Sequence, residues 1–227
     1  MKKNNMPLNI NSLNKNIKSD NFNSNNLNSD NSKKIFIEKE AFENLRREIE
    51  KSDNAREEII IKSRPIIKES KQAIYLLHKN NLIDAKKSLE LANKGLIELK
   101  NLIKENPGVD IGSYNNALQE YTEAITYYYF ISESRLIKNN EINVDAENYL
   151  LGLCDLTGEL ARRAVFSVVD ENYNEVKKIY EFVLFIHNEF LDFELRNGEI
   201  RRKSDSIKWN LKKIEEILYD LKIREKI

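Results

Sequence analysis

A chain of 227 residues with only six glycines and three prolines has few places where it can reverse direction tightly. Antiparallel sheets need turn residues about every 8–12 positions, and that supply is missing. Apolar residues instead recur at three- and four-residue steps along most of the chain beyond residue 34, the period of one helix face. Because 41% of the residues are hydrophobic, helices of this kind can enclose a sizeable core. The expected fold is all-α, a single-domain bundle of about six to seven helices.

Residues 1–34 stand apart from this pattern. Roughly a third of them are asparagine, with serine and lysine making up much of the rest. Such a stretch buries too little apolar surface to offset chain entropy, so a disordered tail is expected, with the helical domain occupying 35–227. Lys2, Lys3, Lys33 and Lys34 would allow the tail a weak nucleic-acid contact. From Ile35 to about His78 one very long helical region is expected, carrying Phe42, Leu45, Ile49, Ile59, Ile66, Ile74 and Leu77. Pro65 inside it must kink that helix or start a second, since a mid-helix proline costs about 3 kcal/mol. A helix from about Leu82 to Lys104 follows, ended by Pro107-Gly108, and then one from about Asp110 to Ile137. A helix capped by Asp145 runs to about Val169, a fifth ends at Asn197-Gly198, and a last one extends through KKIEEILYDLKI.

Two of these helices carry acids where apolar neighbours are expected. In the segment LQEYTEAITYYYFI the apolar seam is Ala117, Tyr121, Ala124, Tyr128 and Ile131, while Glu120, Glu123, Tyr127 and Phe130 form an adjoining stripe. Carboxylates on a helix that neighbours enclose need a partner, which a metal ion, an arginine or solvent could each supply. In YLLGLCDLTGELARRAVFSVV, Asp155 and Glu159 project from one face with Gly158 between them. Acids and a glycine inside an apolar helix are locally unfavourable, which marks either a site or close helix packing at the glycine. Facing carboxylate pairs are how helical bundles hold cations. Four hard oxygen ligands, with neither histidine at ligand spacing, fit Mg²⁺ or Mn²⁺ and not Zn²⁺. Whether the two pairs face each other is a matter of tertiary structure.

The remaining features exclude more than they assign. With 37 basic and 37 acidic residues the net charge is zero, so a nucleic-acid role must rest on local patches or on an assembly. Cys154 has no cysteine to pair with and reads as a small buried hydrophobe, in keeping with a reducing cytoplasm. No apolar run approaches the roughly 18 residues of a membrane span, and no signal-peptide core is present; the expectation is a soluble, cytoplasmic protein with no membrane partner. His187 reads as a core or edge histidine. Arg201, Arg202 and Lys203 begin the last helix, where cations oppose the helix dipole, a hint of another purpose.

Several segments resemble the translin family, and in particular its Trax-type subunits. YLLGLCDLTGELARR is similar to the family's YLLG-x-x-DLTGEL-x-R segment, LQEYTEAITYYYF to its QEYVEA segment, IIKESKQAIYLLHK to its first-helix segment, and KKIEEILYDLKIR to its closing helix. The resemblance implies a translin-like fold of seven helices and a hollow, octameric shell of subunits that holds single-stranded RNA, with single-stranded DNA as a second candidate ligand. It also implies metal-dependent endoribonuclease activity, with Glu120, Glu123, Asp155 and Glu159 holding Mg²⁺ (or Mn²⁺) and its attacking water. Arg201, Arg202 and Lys203, with Arg162 and Arg163, are the candidate phosphate contacts, because such cations position a backbone without reading its sequence. The RRKSDS segment is closer to translin than to Trax, and the asparagine-rich tail and Pro65 have no counterpart in the family pattern. Two other readings remain. One is a non-catalytic single-strand binder whose acids serve only structure, and the other is a helical scaffold with no nucleic-acid role.

Overall fold

The computed structural model describes residues 39–227. Among them are six helices: α1 (Lys39–His78), α2 (Leu82–Glu105), α3 (Gly112–Glu133), α4 (Ala146–Val169), α5 (Tyr173–Leu191) and α6 (Glu199–Ile223). The described residues contain no strand. The expectations for a tail over residues 1–34 and for helix onset at Ile35 lie outside the described residues.

Pro65 neither ends α1 nor starts a new helix, and a single 40-residue helix runs through it. Pro65 is exposed, as is Ile61, whose carbonyl loses its usual helical donor, so water can solvate the freed group. On the opposite face Ser63 and Ser70 donate to the carbonyls of Ile59 and Ile66. Only the later part of α1 contributes to the core, through Ile59, Ile66, Ala73 and Leu77, whereas Phe42, Leu45 and Ile49 remain exposed.

Helix starts follow local chemistry. The side chains of Asn81, Asp145 and Asn172 accept hydrogen bonds from the backbone N–H three residues on, capping α2, α4 and α5. Helix α3 stops at Glu133, earlier than its periodicity indicates, because Ser134 adopts the left-handed conformation at φ 58°. Ile137 and Val144, in the connection that follows, still reach the core. Helix α5 likewise stops at Leu191, and Gly198 precedes α6 instead of terminating α5; its carbonyl accepts from Arg202 N–H.

Helix α4 packs against α3, α5 and α6, and α3 also packs against α2. The buried side of α3 includes Tyr127 and Phe130 together with Ala117, Tyr121 and Ala124, while Tyr128 and Ile131 are half-buried. The stripe that begins with the two glutamates thus runs into the core through its aromatic residues. Helices α3 and α4 meet most closely at Gly152, where an added Cβ would lie 2.6 Å from Thr122 Cβ and 2.9 Å from the Gln119 carbonyl oxygen. Gly158 has no such role, since a Cβ there would meet only Asn210 Nδ2, at 3.6 Å.

Candidate functional site

The close approach at Gly152 fixes the register of the two acidic helices. Gln119 and Thr122, its neighbours on α3, flank Glu120 and Glu123, and Asp155 follows one turn later on α4. All four carboxylates, Glu120, Glu123, Asp155 and Glu159, line one cleft of about 810 Å³ between α1, α3 and α4. The structure thus brings together every acid of the sequence-derived set.

Three of the four are paired with cations or imidazole. Lys71 Nζ lies 3.1 Å from Glu120, Lys203 Nζ lies 2.6 Å from Asp155, and His78 Nε2 lies 2.5 Å from Glu159. Arg162 stands 3.6 Å from the same Glu159 oxygen. The hydrogen bond from His78 holds Glu159 below the ordinary carboxylate range, against the opposing effect of burial. Glu123 differs. It is only 9% exposed and forms no ion pair among the described residues. Burial pushes its pKa up to about 8, and the charges of Asp155, Glu120 and Glu159 push in the same direction. At neutral pH Glu123 is largely protonated because a fourth negative charge there has no counterion.

The donor chemistry fits a hard divalent cation. Four carboxylates converge on one cleft, and one of them is kept protonated by its burial and, secondarily, by the charge of the other three, a condition that a cation relieves. As the side chains stand, no three acidic or histidine groups among the described residues are gathered at coordinating spacing. The acids point instead toward Lys71, His78 and Lys203. Holding an ion requires Lys71 and Lys203 to swing away on their long side chains, while the buried His78 can stay against one oxygen of Glu159.

His78, Lys71 and Lys203 show what sequence reasoning missed or misplaced. His78 sits 81 positions before Glu159, so sequence spacing could not connect them, and only the fold brings this histidine to the acids. Its Nδ1 faces the Tyr127 hydroxyl at 3.2 Å. Lys203, expected at a phosphate, is bound to Asp155 and also donates to Gln119 Oε1 at 3.3 Å. Arg201 and Arg202 are exposed, and Arg162 is exposed at the cleft's edge. Arg163 is a correction. Only 7% exposed, it bonds Glu175 at 2.6 Å, the Leu77 carbonyl at 3.0 Å and Asn80 at 2.8 Å, so its guanidinium ties the end of α1 to α4 and α5 and is unavailable to a phosphate. Cys154 is fully buried and burial pushes its thiol up to about 12, which removes it as a nucleophile.

Comparison with known proteins places this arrangement. The family model described as "Translin family" matches residues 54–225, most of the chain and all of the cleft. The chain belongs to the translin family. It is similar to translin-associated protein X of Pongo abelii, at 27% identity over 81% of this chain and 78% of that protein. The homologue from Schizosaccharomyces pombe is 26% identical over 82% of this chain and 89% of its own length. Among solved structures, apo-NeC3PO matches with a TM-score of 0.71 at 29% identity, covering 77% of this chain and 94% of that one. AfC3PO in a complex with duplex RNA matches with a TM-score of 0.75 at 23% identity, covering 81% and 97%, a likeness of fold. In this translin-family chain the matched region consists of helices and their connections, with no strand, and no helix among its described residues is long and apolar enough to cross a membrane.

Proposed function

We propose that this translin-family chain is a divalent-metal-dependent endoribonuclease subunit that acts on single-stranded RNA within an oligomer of such subunits. The observation that carries the reading is the single cleft in which Glu120, Glu123, Asp155 and Glu159 converge, with Glu123 held mostly protonated at neutral pH. These four residues would hold the ion. When bound, Mg²⁺ or Mn²⁺ supplies a water of lowered pKa and neutralises charge on the phosphate.

The chain's own groups account for the rest. Glu123, the most buried of the four acids, would give up its proton on meeting the ion and bind it as a carboxylate. His78 fixes the rotamer of Glu159 and keeps it ionised. Lys71 and Arg162 stand at the cleft, where they can pair with phosphate oxygens, and Arg201 and Arg202 extend the cationic surface along α6. The similarity to translin-associated protein X and to C3PO structures, one of them solved with RNA, supports a nucleic acid as ligand and an assembly as the working form. The exposed stripe of Phe42, Leu45 and Ile49 on α1 supports assembly as well.

A non-catalytic single-strand binder is favoured by one specific observation. Three of the four acids are already paired with Lys71, Lys203 and His78, as a purely structural network would have them. Incubation of a labelled single-stranded RNA with Mg²⁺ or with EDTA, wild type beside Glu123→Gln, separates the two. The nuclease reading expects cutting that needs both the metal and Glu123. Binding without cutting by either protein would establish the second reading instead.

A further inference from the structure

We propose that Tyr75 of α1 and Phe166 of α4 form a stacking subsite for an unpaired nucleobase beside the carboxylate cluster, and that this subsite favours single-stranded RNA over a duplex. The inference rests on the proposed function for the identity of the ligand as RNA, but not on cleavage.

Both rings line the same cleft as the four acids. Tyr75 is 51% exposed and Phe166 44%, so neither is consumed by the core. Neither ring belongs to the core of this chain, which leaves a face of each open to a ligand. Phe166 is nevertheless held in place, because its ring meets that of His78 edge-on at 5.8 Å and 69°, and His78 in turn holds Glu159. A base stacked on Phe166 would therefore be fixed relative to the carboxylates. Tyr75 lies one turn before His78 on α1 and brings a second ring to the same cleft.

Each ring also has a cation over it. Lys79 Nζ is 4.6 Å from the Tyr75 centroid, and Arg162 Cζ is 5.7 Å from that of Phe166. Both cations are exposed, and at exposed positions the attraction of a cation to a ring is weaker than the stacking of a base on it. A base can thus displace them, leaving the ammonium and guanidinium free for the phosphates on either side. An aromatic face next to a mobile cation is the pairing by which single-strand grooves hold a nucleotide without reading its sequence. In a duplex both faces of an internal base are already covered, so the rings gain nothing from it. Glu120, Asp155 and Glu159 each face a cation, Lys71, Lys203 and Arg162 respectively, which offsets their charge toward an approaching phosphate.

Fluorescence anisotropy of the full chain in EDTA at fixed low salt tests the subsite. The probes are a labelled single-stranded oligoribonucleotide, an oligomer of equal length that is abasic throughout, and a blunt duplex of the same sequence. Tyr75→Leu and Phe166→Leu are each expected to weaken single-strand binding roughly 5- to 100-fold. On the abasic oligomer the variants are expected to match wild type, and on the duplex they should stay within about twofold of it. Thermal melts of the variants confirm that the fold persists. Equal losses on all three probes, no loss on any, or no measurable single-strand binding by wild type would each overturn the proposal. Failure of the nuclease reading appears separately, as an absence of cutting in Mg²⁺ by a protein that still discriminates the abasic strand in EDTA.

Discussion

Replacing Glu123 by Gln should stabilise the metal-free protein, although it removes a residue from the proposed site. The carboxyl has an ordinary pKa of 4.5 and is pushed up to about 8 in the fold. Between those values the native state keeps a proton that the unfolded chain has released, so stability falls as pH rises and the penalty is complete only above 8. At pH 7 the difference amounts to about 3 kcal/mol, from roughly 2.5 pH units at 1.36 kcal/mol each. Gln has the shape of the protonated acid and never ionises, so it escapes that penalty. For a domain of this size the gain corresponds to a rise in melting temperature of roughly 6–12 °C at pH 7, shrinking toward zero near pH 4.5. Addition of Mg²⁺ or Mn²⁺ should reverse the order, because wild type gains by binding, by about 4.1 kcal/mol at a thousandfold excess over Kd. Circular-dichroism melts from pH 4.5 to 8, in EDTA and with the metals, read both effects. A Gln variant that melts at or below wild type in EDTA at pH 7 would refute the view that Glu123 is buried beside like charges without an ion-pair partner of its own.

Two further sets of variants test the framework around the cleft. Gly152→Ala places a methyl 2.6 Å from Thr122 Cβ and should destabilise by about 1–3 kcal/mol. Gly158→Ala meets only an ordinary contact and should stabilise by up to about 1 kcal/mol through helix propensity; urea midpoints compare the two, and equal effects would contradict the assigned packing. Arg163→Met breaks a buried ion pair and removes one of the two donors to the Leu77 carbonyl, with an expected cost of about 3 kcal/mol, at the low end for such pairs because Asn80 N–H still donates to Leu77 and Ser167 and Asn172 still donate to Glu175. A midpoint shift under 1 kcal/mol would show instead that this guanidinium is not what joins α1 to α4 and α5.

Much of the fold could be read from local patterns, because helix period, caps and breakers act within a few residues. Asp145 caps α4 as its side chain predicts, and the inner stripe of α2, Ala85, Leu89, Ala92, Leu96 and Leu99, is buried as its spacing requires. The same locality explains the misses. Asn197-Gly198 looks like a helix end, but the apolar period of α5 gives out at Phe190, and the glycine instead leads into α6. Pro65 left open whether the long first helix would be divided; it is not, because on an exposed face the lost hydrogen bond can be made up by solvent.

The sequence by itself determined that the chain is helical, where most of its helices lie, and that Glu120, Glu123, Asp155 and Glu159 are out of place on them. It could do so because a side chain's position on a helix face depends only on its spacing. Tertiary structure decided which faces meet. It set Gly152 and not Gly158 at the crossing of α3 and α4, brought His78 to Glu159 across 81 positions, turned Lys203 toward Asp155 and closed Arg163 into the interior. It also left Glu123 without a counterion, and so with a raised pKa. Periodicity shows which way a residue faces on its own helix; what it meets there is settled by the packing of segments far apart in the chain.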